Sequence, residues 1–246
     1  MSERLRLSGL QRYQLDVQGY LVVPGALRLD EVLGLAAAVA ALGLPPPADD
    51  LWSQRIGDLL LQGQPFVDLM DHPAALGVLE ELHGPATRLD HAYAIRMAPA
   101  TAGLGLHGGA VPWDPAQYYV HDGDRLRSGL VTLSWALVDH PPGSGGFGCI
   151  PGSHRAGLGV PPGAEALVVE VPMRAGDLLV FTEALAHCTV PWHGPRQRMA
   201  LLYKYSPGSS AWSDWQHLRP LLDRPLTDRQ RRLLQPPSVG HFQPVW

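Results

Sequence analysis

Two histidines far apart in the sequence, followed by an arginine, are the residues whose spacing points to chemistry. His107 lies in the run Leu-His-Gly-Gly, His187 follows a strand-like run that ends at Phe181, and Arg198 comes eleven residues after His187. The strands of a β-barrel bring such distant side chains together, and two imidazoles with a carboxylate form the facial triad of non-haem iron oxygenases. The planar fork of N–H donors on an arginine matches a carboxylate. The pattern therefore predicts iron and oxygen chemistry with a carboxylate co-substrate.

The overall composition is that of a globular enzyme and excludes several other classes. The chain has 246 residues, of which 46% are hydrophobic and 17% charged, and a net charge of −4, so it lacks the basic face of a nucleic-acid-binding protein. Its apolar runs are too short to span a bilayer, and no apolar segment follows its first residues as in a signal peptide. Cys149 and Cys188 lie in separate strand-like stretches, which argues against a disulfide framework. We therefore expect a cytoplasmic protein with no membrane or nucleic-acid partner.

The elements that position these residues are predicted to be strands between two helical regions. Segment 29–42 is rich in alanine and leucine and ends at Gly43 before three prolines, which predicts a helix. Further helices are predicted where a capping residue starts a segment and glycine or proline ends it. These two segments run from Asp71 to Gly84 and from Thr227 to Pro236.

Between Arg88 and Tyr205 the sequence consists of short apolar or alternating runs broken by glycine, proline and aspartate. Such runs predict an antiparallel sandwich or jelly roll, with the helices packed on one outer face. The predicted strands are 92–97, 130–138, 147–150, 166–171, 178–181 and 199–205.

This pattern predicts one mainly β domain over residues 1–246 with flanking helices. It divides into a helical N-terminal part at 1–87, a jelly-roll core at 88–205 and a helical C-terminal tail at 206–246.

Two further side chains are assigned to the co-substrate site. Thr189 lies two residues beyond His187, so on an extended strand the two side chains share a face and the hydroxyl can assist Arg198. Tyr118 and Tyr119 must face opposite ways on a strand, so at most one points inward. We assign Tyr119 as the third cofactor-binding candidate.

Residues 88–205 resemble the phytanoyl-CoA dioxygenase family of Fe(II)/2-oxoglutarate-dependent oxygenases. The resemblance is carried by His107, the segment from Gly145 to His154 with its specific Ile-Pro-Gly-Ser-His run, His187, and Arg198 at the family's spacing. It implies a double-stranded β-helix (jelly-roll, cupin-like) core that binds Fe(II) and 2-oxoglutarate. It further implies that Arg198 holds the distal carboxylate of 2-oxoglutarate, and that the enzyme uses O₂ to oxidise (hydroxylate) an unactivated C–H bond of a small molecule.

The third metal ligand is missing from its usual place. The family has His-x-Asp at the first ligand, whereas residues 107–109 read His-Gly-Gly. In the first hypothesis another carboxylate completes the site, and Glu183, four residues before His187, is the best candidate. A turn would bring the two side chains to one side, whereas an extended chain would separate them by roughly 13 Å. Asp114, on a proline-bounded loop, is the weaker candidate.

Two other hypotheses remain open, and we rank them below the first. His-x-Gly resembles Fe(II)/2-oxoglutarate halogenases, in which a small residue leaves room for chloride on the iron, so the position beside Gly109 would hold a halide and the reaction would be C–H halogenation. Alternatively, the metal site has decayed and the fold binds a ligand without catalysis, because two neutral imidazoles without an anion hold Fe(II) weakly. No catalytic residue beyond the metal ligands is assigned, and the sequence specifies neither substrate nor oligomeric state.

Overall fold

The computed structural model describes residues 6–47, 53–123 and 125–246. Within these residues the strands are β1 (Tyr20–Val23), β2 (Gln54–Ile56), β3 (Thr87–Met97), β4 (Leu104–His107), β5 (Tyr119–Asp122), β6 (Arg125–Ser128), β7 (Val131–Ala136), β8 (Gly146–Cys149), β9 (Val169–Glu170), β10 (Leu178–Thr182), β11 (His187–Val190) and β12 (Arg198–Pro207). The α-helices are α1 (Gly9–Gln18), α2 (Leu29–Ala40), α3 (Gln64–Leu69), α4 (Pro73–His83) and α5 (Asp228–Leu233). Short 3₁₀ helices cover Leu59–Gln62, Ser153–Arg155, Ala164–Leu167 and Trp215–Asp223.

Two antiparallel sheets form the core. The larger sheet has the order β1-β10-β7-β12-β3-β2 and the smaller one the order β4-β11-β8-β9, while β5 and β6 form a separate ribbon. Residues of both sheets line one cavity, so the sheets face each other as in a jelly roll. The predicted mainly β fold with a jelly-roll core is therefore confirmed.

Alternation along β12 divides the larger sheet into two faces. Leu201 and Tyr203 belong to the main hydrophobic core shared with the helices, and the Tyr203 hydroxyl donates to the Phe66 carbonyl oxygen at 2.7 Å. Arg198 and Lys204 lie on the opposite face, where they line the cavity between the sheets. One strand thus anchors the helical layer and supplies charged groups to the interior.

The helices lie on the outer face of the larger sheet, as the sequence predicts. Helices α2 and α4 bury Leu35 and Leu79 in the same core as the strands. The first turn of α4 contains Pro73, but its N-cap is His72, whose ring accepts from the Ala74 N–H at 3.3 Å, and not Asp71. Helix α5 begins with a capping box between Thr227 and Gln230, as its sequence indicates.

The N-terminal part was predicted to be helical, but in the structure it also contains two strands. Strand β1 pairs with β10 and strand β2 pairs with β3, so this part supplies both edges of the larger sheet. Strands of four and three residues have too few positions to show a periodic pattern, and their pairing partners lie far away in the sequence. In the described part of the chain, no helix has the length and apolar character needed to cross a membrane.

Candidate active site

A cavity of about 60 Å³ between the two sheets collects most of the predicted site residues. His107, His187 and Thr189 enter it from the smaller sheet, and Arg198 enters it from β12 of the larger sheet. The two sheets therefore bring together four side chains that the sequence assigned to one site.

The two histidines are direct neighbours across β4 and β11. They are partners in the antiparallel ladder, their ring centroids lie 4.2 Å apart, and the ring planes make an angle of 57°. Nδ1 of His107 lies 2.9 Å from the carbonyl oxygen of Gly105, and Nδ1 of His187 lies 2.7 Å from that of Leu185. Because a carbonyl only accepts, each Nδ1 carries the proton and donates it, which leaves the Nε2 lone pair of each neutral ring for a metal. Burial lowers the pKa of His187 to about 4, so this ring is neutral near pH 7.

The glycines after His107 make this approach of the strands feasible. Gly108 has φ +73°, and a Cβ there would lie 2.8 Å from the carbonyl oxygen of Leu185 and 2.9 Å from that of Glu183. Gly109 has φ +109°, a region that L-residues rarely adopt, although a Cβ there would meet nothing closer than 3.6 Å. The backbone of this loop is thus suited to glycine, and an aspartate at 109 would be strained.

Glu183 is the carboxylate next to His187, although it is not among the residues that line the cavity. It lies in a turn between β10 and β11, and its Oε2 is 3.9 Å from Nε2 of His187. Its other oxygen, Oε1, accepts a hydrogen bond from the Thr132 hydroxyl and pairs with Nζ of Lys204 at 2.8 Å. Burial alone would raise the pKa of Glu183, but the charges of Lys204 and His187 lower it to about 2, so the carboxylate is ionised.

Imidazole and carboxylate groups are of the kinds that bind ferrous iron, but the two histidines and Glu183 are not arranged as a complete set of three ligands. Among the described residues, no group of three or more histidine, cysteine, aspartate or glutamate side chains is arranged to hold a metal ion. Two imidazole lone pairs are in position, and one oxygen of Glu183 faces His187. The residues therefore fit an iron bound by two histidines. Glu183 is the candidate for the third protein ligand, and this role requires a test.

Arg198 is a buried cation whose charge is not balanced by a carboxylate in the described part of the chain. Its side chain is 4% exposed, Nη1 donates to the sulfur of Met97 at 3.3 Å, and Nε has no hydrogen-bond partner. Burial lowers its pKa to about 10, so it stays charged near pH 7. Because an unpaired buried charge is costly, this guanidinium indicates a site for an anion. Thr189 lines the same cavity and can add a hydroxyl.

The structure places two predicted residues elsewhere. Tyr119 lies on the β5–β6 ribbon, where its hydroxyl donates to Asp16 at 2.9 Å and its ring packs edge-on against His154 at 4.6 Å. It is not among the residues that line the cavity. Asp114 accepts from the N–H of Ala116 at 2.7 Å and also does not line it. Alternation within a separate ribbon has no bearing on which side chains enter the cavity, so the geometry of this cavity gives no support to Tyr119 and Asp114 as site residues.

Lys204 and Tyr93 line the cavity but were not predicted as site residues. For Lys204 the sequence held a usable signal, because it is the only lysine and lies six residues after Arg198 on the same strand. An even spacing on a strand puts two side chains on the same face. Tyr93 on β3 carried no such signal.

Exposed apolar side chains lie beside the glycine loop. Trp113 is 66% exposed and stacks on Tyr118, and Leu158 is 82% exposed. Val160 lies 3.6 Å from the point where a Cβ of Gly109 would stand. An apolar rim therefore adjoins the loop that follows His107.

Comparisons with known proteins agree with this fold. Residues 15–200 match the family described as Phytanoyl-CoA dioxygenase (PhyH). A curated relative, 1-deoxypentalenic acid 11-beta-hydroxylase from Streptomyces exfoliatus, is 24% identical in an alignment 229 residues long that covers 79% of this chain and 80% of the relative.

Solved structures share the architecture at low sequence identity. HygX from Streptomyces hygroscopicus, with nickel and 2-oxoglutarate bound, matches with a TM-score of 0.73 and 24% identity over 82% of this chain and 87% of HygX. The non-heme alpha ketoglutarate dependent epimerase SnoN from nogalamycin biosynthesis matches with a TM-score of 0.66 and 23% identity over 81% of this chain and 83% of SnoN. At such identities these likenesses support the fold.

Proposed function

The chain belongs to the phytanoyl-CoA dioxygenase family, and we propose that it is an Fe(II)- and 2-oxoglutarate-dependent oxygenase that oxidises an unactivated C–H bond of a small molecule. The observation that carries this proposal is the unpaired Arg198 guanidinium in the same cavity as the His107–His187 pair. A metal-binding pair and a carboxylate-binding cation together are what this chemistry requires of the protein.

We assign the iron to Nε2 of His107 and of His187, with Oε2 of Glu183 as the third ligand. The hydrogen bonds from Nδ1 of each histidine to its backbone carbonyl fix the tautomer and the ring orientation. Glu183 adds a negative charge that two neutral imidazoles lack, and Oε2 faces His187. The turn at 183–187 makes this assignment feasible, because an extended chain would carry Glu183 away.

Arg198 binds the distal carboxylate of 2-oxoglutarate, and Thr189 adds a hydroxyl from β11. Bound iron would supply activation of O₂, with 2-oxoglutarate as the electron-donating co-substrate. The chain shields the His187 side of the site from water: the rings of Phe181 and Phe147 lie 4.9 and 5.9 Å from the ring of His187. Apolar walls of this kind protect a reactive centre from bulk solvent.

The substrate reaches this site past the apolar rim that contains Trp113, Leu158 and Val160. Large exposed apolar side chains beside a functional loop are typical of a ligand entrance. HygX is known in a complex with hygromycin B, and the curated relative is named as a hydroxylase of 1-deoxypentalenic acid, so small-molecule substrates are also the precedent among similar proteins.

Halogenation is the second candidate, because Gly109 stands where the family has a carboxylate. Its φ of +109° and the space around it suit a site without a side chain. The two candidates make opposite predictions for Glu183→Ala. Hydroxylation with Glu183 as a ligand predicts loss of iron binding, whereas a halide beside Gly109 predicts little change.

The test of function is an anaerobic titration of the purified protein with Fe(II) and then 2-oxoglutarate. We expect a weak visible charge-transfer band that needs both additions, followed on admission of O₂ by conversion of 2-oxoglutarate to succinate. His107→Ala should abolish both signals. His241→Ala, an exposed histidine remote in sequence from the cavity residues, is the matched control and should leave both unchanged.

The outcomes separate the candidate functions. Absence of the band and of succinate in the wild-type protein would refute the oxygenase proposal and leave a ligand-binding protein on the same fold. Succinate formation with chlorine in the product, dependent on added chloride, would establish the halogenase in place of the hydroxylase.

A further inference from the structure

We infer that Lys204 is a positioning residue that holds one oxygen of Glu183 so that the other oxygen faces the histidine pair. The inference rests on the proposed role of Glu183 as a metal ligand and concerns what places that ligand.

The two oxygens of Glu183 have different surroundings. Oε1 is engaged by Nζ of Lys204 at 2.8 Å and by the hydroxyl of Thr132. Oε2 receives no hydrogen bond from the described residues, and it lies 3.9 Å from Nε2 of His187. One oxygen is therefore fixed by the protein while the other keeps its lone pairs for a ligand.

The sheet sets this geometry. Lys204 on β12 and Thr132 on β7 are direct partners in the antiparallel ladder, so their side chains stand side by side on the cavity face. The backbone N–H of Glu183 donates to the carbonyl of Leu130 at 3.0 Å, which ties the turn to the segment just before β7. The positions of both groups that hold Oε1 thus follow from the register of β12 on β7.

Stability alone does not explain a lysine at this position. The side chain of Lys204 is 13% exposed and that of Glu183 is 5% exposed, so both charges are largely removed from water. A buried ion pair is often no more stable than apolar residues of the same volume. The chain contains no other lysine, and the one it has is placed where its ammonium sets the orientation of a carboxylate beside two metal-binding rings.

A competing role for Lys204 would be to neutralise Glu183 and keep it from the metal. The two roles predict opposite effects of removing the ammonium. If Lys204 positions Glu183, its loss weakens metal binding, since residues that orient a ligand typically contribute about 10- to 100-fold to metal affinity. If Lys204 competes with the metal, its loss strengthens binding.

The test is a titration of the metal-free full-length protein with Co(II) sulfate in chloride-free buffer, followed by the d–d absorption spectrum of Co(II). We expect Lys204→Met to lower the Co(II) affinity at least tenfold and to change the spectrum, and Lys204→Arg to restore part of both. Thr132→Val, which removes the other partner of Oε1, should act in the same direction with a smaller effect.

Arg55→Met is the matched control. The Arg55 guanidinium lies over the ring of Tyr93 at 3.8 Å, and Nζ of Lys204 lies 6.0 Å from the same ring, but Arg55 is exposed and has no contact with Glu183. Arg55→Met removes a cation near Lys204 but no contact of the Glu183 carboxylate. The Co(II) affinity and spectrum should therefore stay as in the wild-type protein.

Glu183→Gln distinguishes failure of this inference from failure of the proposed site. If Glu183→Gln leaves the Co(II) affinity unchanged, Glu183 is not a ligand and the assignment of the site is wrong. If Glu183→Gln weakens binding while Lys204→Met binds Co(II) as tightly as the wild type or more tightly, the positioning role is wrong. The double variant Glu183→Gln/Lys204→Met should bind Co(II) as tightly as Glu183→Gln alone, because Lys204 acts only through Glu183. If Lys204→Met does not fold, the Co(II) affinity of Thr132→Val tests the inference instead. An affinity equal to that of the wild type would overturn it.

Discussion

Two buried clusters each contain a carboxylate and an arginine: an outer cluster at Asp90 and Arg88, beside the C-terminal segment, and an inner cluster at Glu183 and Arg198, beside the cavity. They differ in whether the arginine has a carboxylate partner. In the outer cluster, Oδ2 of Asp90 is 3.1 Å from Nη1 of Arg88 and accepts hydrogen bonds from Ser206 at 3.0 Å and from the backbone N–H of Trp212 at 2.7 Å. Oδ1 accepts from the N–H of Ser213 at 3.0 Å. These bonds join β3 to β12 and to the C-terminal segment.

In the inner cluster the carboxylate does not pair with the arginine. Arg198, which lines the cavity, has no carboxylate partner among the described residues, and Glu183 uses one oxygen while the other faces His187. The charge of Arg198 is therefore left for a group that enters the cavity.

The difference separates two uses of buried charge. Where charge holds elements together, the chain supplies its partners, as at Asp90. Where charge is kept for a ligand, the chain supplies part of the set and leaves the rest directed into a cavity. The difference between the two clusters in how buried charges are paired is therefore evidence about function that burial alone does not give.

The largest effect should come from breaking the outer pair. Asp90→Asn leaves Arg88 buried without a charge partner and weakens three further hydrogen bonds, so we expect the free energy of unfolding to fall by about 3–5 kcal/mol. Urea denaturation followed by circular dichroism measures this. A loss below about 1 kcal/mol would show that the outer group is not a structural ion pair. The Co(II) affinity of the folded variant should match that of the wild type.

Removing Arg198 from the inner cluster should lower ligand affinity but not stability. Arg198→Met takes away an unpaired buried cation, so we expect the free energy of unfolding to stay constant or rise. The affinity of the Ni(II)-loaded protein for 2-oxoglutarate, measured calorimetrically, should fall by about 100-fold, because loss of a buried charge partner costs about 2–5 kcal/mol of binding. A large loss of stability with unchanged 2-oxoglutarate affinity would reverse the comparison between the two clusters.

The smallest effect concerns the glycine that lets the inner groups meet. A Cβ at Gly108 would press on the carbonyl oxygens of Leu185 and Glu183, so Gly108→Ala should cost about 2 kcal/mol of stability and also weaken Co(II) binding. Gly143 has a similar φ of +79° against +73° but nothing within 4 Å of a Cβ. Gly143→Ala should therefore cost only about 1 kcal/mol, with no change in Co(II) affinity. Equal metal affinities in the two variants would contradict the role given to Gly108.

Periodicity predicted the central strands because their pattern is local. The segments 178–181 and 199–205 correspond to β10 (Leu178–Thr182) and β12 (Arg198–Pro207), and alternation along β12 correctly separates its two faces. The same local reasoning missed β1 and β2, which are strands only because β10 and β3 offer them an edge.

Residue types and their spacing in the sequence were enough to predict most of the side chains at the candidate site. The structure brings His107, His187, Thr189 and Arg198 to one cavity, and it places Glu183 in a turn beside them. The structure places Tyr119 outside the cavity lining, because its position depends on contacts with Asp16 and His154, which lie far away in the sequence. The contact between Lys204 and Glu183 depends on the register of three strands, and no local pattern reports it.

The solitary lysine gives this protein an unusual spectroscopic advantage. Because the chain carries a single ε-amino group and that group lies inside the cavity, protein prepared with ¹⁵N-lysine would show one side-chain ammonium resonance, free of overlap. Its chemical shift and hydrogen-exchange rate would report directly on what enters the interior. Occupancy of the cavity by ions or organic acids could thus be followed in solution through this one signal, before any substrate is identified.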